Sequence, residues 1–265
     1  MALRPELAAI CLCDGYGGFE LGLREHGIRT VCRVERDSYA AAVLVARMEE
    51  QRLDQAPVWD DLTTFDGAAW RGRVDLITAG FPCQPFSAVG KRKGVDDDRW
   101  LWPAIRRIIS DVGPRYVFLE NVPGLVRAGL PHVLADLADL GFDAEWGLLS
   151  AAAVGAPHKR SRIWIVAALA DTEGVDEREP HDTERTLARQ DARPDIGRGG
   201  FPPRPDDTDA WQRWIAEGRP KPSIRRSTHG RPVGLADALH LGGNGLVPAT
   251  ASEAWRQLTE RLKTL

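Results

Sequence analysis

Short apolar runs alternate with amphipathic segments over the first 170 residues of this chain. Each run is bounded by turn or polar residues and has the length of a buried strand. The predicted strands are 8–13, 30–35, 74–79, 116–119 and 163–168, and the predicted helices are 37–50, 101–112, 133–140 and one near the end that buries Trp255, Leu258 and Leu262. Strands that alternate with helices are typical of a largely parallel sheet covered by helices. The pattern therefore predicts an α/β fold, with Asp37 or Ser38 as the cap of the first long helix.

Length and composition limit the alternatives. A chain of 265 residues suits one large α/β domain, alone or with a small appendage. Its net charge of −3 gives no overall signal for nucleic acid, so such evidence must be local. The four cysteines form neither a disulfide framework nor a metal-binding pattern, which predicts a reduced cytosolic setting and no metal site. Cys11 and Cys13 are predicted to share one face of the first strand, and residues 7–13 are interpreted as that strand rather than a signal peptide.

The composition changes at Asp171. Residues 171–209 carry 12 acidic and 6 basic side chains, which indicates a solvated loop or a flexible insert. Residues 210–232 carry 6 basic and 1 acidic side chain beside two tryptophans, which fits either a surface that faces nucleic acid or a plain solvated face. We therefore expect one ordered domain from residues 1–170 together with 240–265, and a separate region at 171–239.

Residues 80–87 read Gly-Phe-Pro-Cys-Gln-Pro-Phe-Ser and follow the third predicted strand. Open α/β sheets place their chemistry just beyond the ends of their strands. The prolines at 82 and 85 stiffen the loop, so the thiol of Cys83 is held in a fixed position. A buried structural cysteine between two turn prolines is the alternative interpretation.

A glycine-rich turn at Gly15, Gly17 and Gly18 follows the first predicted strand. Such glycines allow a cofactor to approach the backbone closely and leave helix amides directed at it. A tight structural turn explains the same glycines equally well. Glu35 lies about 20 positions further on, where nucleotide-binding folds hold a ribose, although it could also cap a helix.

A carboxylate and two arginines are predicted at the same sheet edge as Cys83. Glu120 lies at the tip of the fourth predicted strand. Arg160 and Arg162 lie two residues apart at the start of the fifth, which directs both to one face. Each residue has a structural explanation when taken alone. Their convergence with a thiol at one edge is harder to attribute to packing and indicates a catalytic site.

The motifs, and the order in which they occur, resemble those of the DNA cytosine-5 methyltransferase family over nearly the whole chain outside 171–239. They are the glycine turn, Glu35, Asp61-Leu62, Gly-Phe-Pro-Cys-Gln, Glu-Asn-Val, Arg-x-Arg and a closing Gly-Asn-Gly before the final helix. The resemblance implies a class I methyltransferase (Rossmann-like) sheet with helices on both faces, S-adenosyl-L-methionine as cofactor and a target-recognition region at 171–239. It also implies a monomer that acts on double-stranded DNA and does not associate with a membrane. The expected location is the cytoplasm of a bacterial or phage-infected cell. Whether a restriction enzyme accompanies it stays open.

The resemblance assigns four catalytic side chains. Cys83 would add to C6 of a flipped-out cytosine, and Glu120 would bond N3 and the amino group of the base. Arg162 would hold O2 and help to place Glu120, while Arg160 would contact a phosphate or brace the cysteine loop. An RNA (tRNA) cytosine-5 methyltransferase and a catalytically inactive DNA-binding relative remain as alternatives.

The same resemblance assigns binding residues. Glu35 would bind the ribose, Asp61 the adenine amino group, and the backbone of the glycine turn the methionine end. The full set of expected cofactor contacts is Gly15, Gly17, Gly18, Glu35, Asp61, Pro82 and Asn244. The expected DNA contacts are Ser87, Lys91, Arg92 and Lys93 in a lid loop, together with Arg225 and Arg226.

Four positions depart from the family pattern in ways that concern the cofactor. Cys11 and Cys13 replace the usual Asp and Phe, and Arg36 stands where an aromatic residue often follows the ribose-binding acid. His158 replaces the common Gln. An aromatic contact to the adenine is therefore missing at Cys13. We expect weaker cofactor binding than in the family unless another residue covers the adenine face.

Overall fold

The computed structural model describes residues 6–82, 100–170, 212–213, 216–217 and 245–264. Eight residues with predicted roles lie outside these ranges. They are the catalytic Cys83, the cofactor contact Asn244 and the DNA contacts Ser87, Lys91, Arg92, Lys93, Arg225 and Arg226. No helix within the ranges is long and apolar enough to cross a membrane.

In the described part of the chain, seven strands form a single sheet in the order β3-β2-β1-β4-β5-β7-β6. The strands are β1 (Leu7–Leu12), β2 (Ile28–Val34), β3 (Val58–Trp59), β4 (Leu76–Gly80), β5 (Tyr116–Asn121), β6 (Phe142–Ser150) and β7 (Ser161–Leu169). The pairings among β1 to β5 are parallel, and β7 is antiparallel to both β5 and β6. The prediction of a mostly parallel sheet is confirmed, and all five predicted strands are present.

Six α-helices have both ends within the described residues: α1 (Gly18–Leu23), α2 (Ser38–Glu49), α3 (Trp102–Val112), α4 (Leu125–Ala128), α5 (Leu130–Asp139) and α6 (Pro248–Leu262). Asp37 caps α2, because its Oδ1 accepts a hydrogen bond of 2.8 Å from the Ala40 amide. That contact decides between the two predicted caps. Helix α5 begins before the predicted residue 133 because Pro131 fits the first helical turn.

The helices cover both faces of the sheet, as predicted. Helices α3 and α5 pack on the face formed by residues such as Ile10 and Leu12, and α1 and α6 pack on the face formed by Ala9 and Cys11. Successive residues of β1 thus enter opposite cores. The open edge at the carboxyl ends of β1, β4 and β5 lies between these two layers.

The prediction that Cys11 and Cys13 share a strand face is wrong. Strand β1 ends at Leu12, and Cys13 adopts a left-handed conformation with φ of 52°. Cys11 therefore lies in the α1/α6 core, whereas Cys13 packs against the α3/α5 core.

Candidate active site

The parallel strands bring the predicted catalytic segments to one sheet edge. Gly80, the last residue of β4, is in register with Glu120 of β5. A Cβ atom at position 80 would lie 3.6 Å from Glu120 Oε2 and 3.4 Å from the Phe19 ring, so glycine leaves space beside the carboxylate. Cys83 follows Gly80 by three positions and lies outside the described residues, but the chain that leads to it passes Glu120.

Arg162 orients the carboxylate of Glu120. Its Nε lies 2.7 Å from Glu120 Oε1, and the two side chains are only 19% and 12% exposed. Burial raises the pKa of Glu120, while the positive charges of Arg162 and Arg160 oppose that rise. The outcome is a fixed carboxyl group that takes up a proton more readily than an exposed glutamate. Such a group can share a proton with a ring nitrogen of a bound base.

The positive charge of Arg160 acts on the same carboxylate, but this residue is placed by a different geometry from the one predicted. It precedes β7 and has a φ of 27°, so the alternation of a strand does not place it. Its guanidinium donates to the carbonyl of Gly245, and the Tyr16 hydroxyl donates to the carbonyl of Leu246. These two contacts hold the last residue of the predicted Gly-Asn-Gly motif, and the residue after it, against the site.

Asn121 is a positioning residue that the sequence reasoning missed. Its Nδ2 donates to the Phe81 carbonyl over 3.0 Å, and its Oδ1 accepts from the Val122 amide over 2.8 Å. Phe81 is buried against Trp100 and Trp102. The backbone just before the exposed Pro82 is therefore anchored on both sides. Asn121 belongs to the Glu-Asn-Val motif, but only the glutamate of that motif was assigned a role from the sequence.

The glycine turn combines packing with open space. Gly15 and Gly17 have φ of 61° and 85°, a region that favours glycine. A Cβ at Gly17 would meet Leu53 Cδ1 at 2.6 Å, and one at Gly18 would meet Leu246 Cβ at 3.0 Å. Packing thus accounts for two of the glycines. At Gly15 no atom of the described structure lies within 4 Å of the Cβ position, so there is room for a ligand.

Glu35 connects the glycine turn to α2. Its Oε2 accepts a 2.7 Å hydrogen bond from the Gly15 amide, and its Oε1 accepts one of 2.8 Å from the Asp37 amide. The helix-cap interpretation does not hold, because Asp37 is the cap. Each carboxylate oxygen has a second lone pair, so this residue can also accept from a ribose hydroxyl.

Asp61 follows β3 in a turn at the same edge. Its Oδ1 accepts hydrogen bonds of 2.8 Å from both the amide and the hydroxyl of Thr63. The Thr63 amide, followed by its hydroxyl, lowers the pKa of Asp61. An ionised carboxylate in this turn is a suitable acceptor for an amino group such as that of adenine.

The described cysteines are poor nucleophiles. Burial raises the pKa of both Cys11 and Cys13 to about 12, and that of Cys32 to about 11. A thiol attacks as its thiolate, so these three are unreactive near neutral pH. Within the described ranges, no group of His, Cys, Asp and Glu is arranged to hold a metal ion.

A buried cluster of charges beneath the glycine turn was also missed. Arg33 of β2 lies 2.6 Å from Asp14 and contacts Glu20, and all three side chains are inaccessible to solvent. Burial raises the pKa of Asp14 to about 6, with Arg33 opposing the rise. The carbonyl of Asp14 accepts from the Gly17 amide, so the cluster supports the turn. An arginine inside an apolar strand was the signal in the sequence.

Comparison with known proteins agrees with these motifs. The C-5 cytosine-specific DNA methylase model matches residues 7–199. The type II methyltransferase M.NgoMIV of Neisseria gonorrhoeae is 34% identical over 166 residues, which are 61% of this chain and 52% of that protein. M.NaeI of Lentzea aerocolonigenes is 38% identical over 165 residues, 61% of this chain and 40% of that protein.

The chain thus spans about half the length, or less, of these curated relatives. Among solved structures, a DNMT2 variant of Spodoptera frugiperda is similar in fold, with a TM-score of 0.55 and 22% identity over 70% of this chain and 56% of that one. The methylase model covers more than half of the present sequence, including the glycine turn, Glu120 and the paired arginines. The chain belongs to the C-5 cytosine-specific DNA methylase family.

Proposed function

We propose that this protein transfers a methyl group from S-adenosyl-L-methionine to C5 of a flipped-out cytosine in duplex DNA. The observation that carries the proposal is the largely buried Glu120 carboxylate, held by Arg162 at the sheet edge where residues 80–82 lead to Cys83. The match to the C-5 cytosine-specific DNA methylase family supports DNA as the substrate.

The reaction needs a nucleophile because C5 of cytosine does not take a methyl group directly. The Cys83 thiolate forms a bond to C6, and N3 gains a proton shared with Glu120, which converts C5 into a nucleophilic enamine carbon. When bound, the cofactor supplies an electrophilic methyl group on a sulfonium. After C5 has accepted the methyl group, loss of the C5 proton and of the Cys83 sulfur restores the aromatic ring.

The other residues orient the base and exclude water. Arg162 holds Glu120 in place and, in the proposed complex, binds O2 of the base. Arg160 fixes the segment before α6 through Gly245. A target base inside a duplex cannot reach these groups, so it must be flipped out at a cost of a few kcal/mol. Residues 87–99, with Lys91, Arg92 and Lys93, are proposed to close over the displaced nucleotide.

The residues around the glycine turn fit the cofactor. Open space beside Gly15 and the carboxylates of Glu35 and Asp61 lie at one sheet edge. In the proposed complex Glu35 binds the ribose, Asp61 the adenine amino group, and Gly15 and Asn244 the methionine end. We also propose that the protein acts as a monomer in the bacterial cytoplasm. The type II methyltransferases that it resembles come from bacteria such as Neisseria gonorrhoeae.

Covalent trapping tests this mechanism. We expect the protein to form an SDS-stable adduct with plasmid DNA in which every cytosine is replaced by 5-fluorocytosine, because fluorine cannot leave C5 as a proton does. Complete replacement removes the need to know the recognition sequence. The buried Cys32 serves as the control, since Cys32→Ala should trap as the parent protein does.

The outcomes separate the candidate functions. An adduct with fluorinated RNA but not with DNA would favour the RNA methyltransferase. Binding of DNA and cofactor without any adduct would contradict the covalent mechanism and favour an inactive DNA-binding relative.

Residues 171–239 are proposed to recognise DNA through the basic stretch 210–232, and not through the acidic stretch 171–209. The double variant Arg225→Ala with Arg226→Ala is expected to weaken DNA binding. It should also reduce the slope of log K against log salt concentration by up to about two units, because fewer counterions are released on binding when phosphate contacts are lost. Titrations of fluorescent duplex at several salt concentrations measure both effects.

A matched pair in the acidic stretch provides the control. Arg185→Ala with Arg189→Ala removes the same charge but should leave the salt slope unchanged. Deletion of residues 176–200 should leave the methylated sequence unchanged. If the deletion alters the sequence while the Arg225/Arg226 variant binds normally, recognition lies in the acidic stretch instead.

A further inference from the structure

Trp59 lies between the two carboxylates proposed to hold the cofactor. It is the last residue of β3, and its carbonyl accepts a 2.9 Å hydrogen bond from the amide of Glu35. Asp61 follows two positions later, in the turn that β3 enters. The backbone of Trp59 is therefore placed beside both the ribose and the adenine positions of the proposed site.

The sheet register directs Trp59 to the face that carries Cys13. Trp59 is in register with Val34 of β2, and residues paired across neighbouring strands project from the same face. Val34 belongs to the α3/α5 core, and Cys13 packs against that same core. Trp59 is thus a large, exposed aromatic residue on the same face as Cys13, the position where the family pattern has Phe.

The indole ring is exposed but held in one orientation. Trp59 is 46% exposed, the highest value among the large exposed hydrophobic side chains of the described residues. Its Nε1 donates to Thr64 Oγ1 over 3.1 Å, and its ring packs edge-on against Phe65 at a centroid distance of 6.3 Å. Because the polar atom already has a partner, the exposed surface can offer a ligand only aromatic and apolar contact. That surface suits a flat ring.

Neither of the two positions that carry an aromatic residue in the family pattern offers such a surface in this chain. The side chain of Cys13 is small and half-buried, and Arg36 is an exposed cation. We propose that Trp59 forms the aromatic wall of the adenine pocket and replaces the aromatic contact absent at Cys13 and Arg36. The inference rests on the proposed use of S-adenosyl-L-methionine and names the residue that binds its adenine ring. It also implies that the cofactor affinity is not weakened by the Cys13 departure.

Calorimetry with S-adenosylhomocysteine and the full chain, without DNA, tests the role of Trp59. Trp59→Ala is expected to raise the Kd about 2- to 12-fold, the range of one aromatic contact. Trp59→Phe should stay within about twofold of the parent protein, because a ring is retained. Leu169→Ala is the matched control, since Leu169 is 43% exposed at the end of β7, beside the opposite edge strand of the sheet, and should not affect the Kd.

Fluorescence gives a second readout that does not depend on the alanine variant folding. Stacking on adenine should quench part of the tryptophan emission, and Trp59→Phe should lose that part. Unchanged affinity in Trp59→Ala, or equal quenching in Trp59→Phe, would overturn the inference while leaving the cofactor assignment intact. Failure of the parent protein to bind S-adenosylhomocysteine would contradict the cofactor assignment itself and the role of Trp59 with it.

Discussion

Replacement of Cys83 with serine is expected to abolish methyl transfer to DNA and to leave the Kd for S-adenosyl-L-methionine within a few fold of the parent value. A serine hydroxyl is far less ionised than a thiol near neutral pH, so its attack on C6 should be slower by orders of magnitude. The thiol acts on the base and not on the cofactor, so binding should persist. Transfer of a radiolabelled methyl group measures the first effect, and calorimetry measures the second.

Cys32→Ala again provides the comparison. Cys32 is buried in β2, and its pKa of about 11 keeps the thiol neutral, so its loss should not slow the chemical step. If Cys83→Ser retained activity close to that of Cys32→Ala, the covalent mechanism would be wrong. Equal loss of cofactor binding and activity in Cys83→Ser would instead indicate damage to the fold.

The fold could be predicted where the local pattern was strong. Strands β1, β4 and β5 lie inside the sheet and are buried on both faces, so each reads as a continuous apolar run. The two edge strands were missed. Strand β3 has only two residues, and β6 carries Asp143, Glu145 and Gly147 among its apolar residues. Neither gives the signal of a buried strand.

The candidate site also has features that the sequence could predict and features that it could not. The positions of Glu120 and Arg162 followed from strand ends, and the structure brings the two side chains into contact. The contact between Tyr16 and Leu246 joins residues 230 positions apart, which no local periodicity reveals. The roles of Asn121 and Arg33 also depend on which groups face them across the sheet. Sequence patterns located the chemistry, whereas the supporting contacts required the folded chain.

Arg33→Met is expected to lower the free energy of unfolding by about 3–5 kcal/mol, because it leaves Asp14 buried without its cation and leaves Glu20 with Arg24 alone. Urea unfolding measures the loss. Arg29→Met is the matched control on the same strand, since Arg29 is 55% exposed and its pair with Glu6 is 3.6 Å long. Such an exposed pair contributes at most about 1 kcal/mol. Equal losses in the two variants would show that the buried cluster has no special role.

The pH dependence and a second substitution test the electrostatic cause of that loss. A carboxyl group whose pKa in the folded state exceeds its unfolded value contributes stability below the unfolded pKa and loses it as the pH rises through the folded pKa. The pKa of Asp14 is already about 6 with Arg33 present, and removal of the cation should raise it further. The deficit of Arg33→Met should therefore grow as the pH rises above about 6, and Asp14→Asn in that background should recover part of it. A deficit that is the same at every pH and insensitive to Asp14→Asn would assign the loss to packing of the arginine side chain instead of its charge.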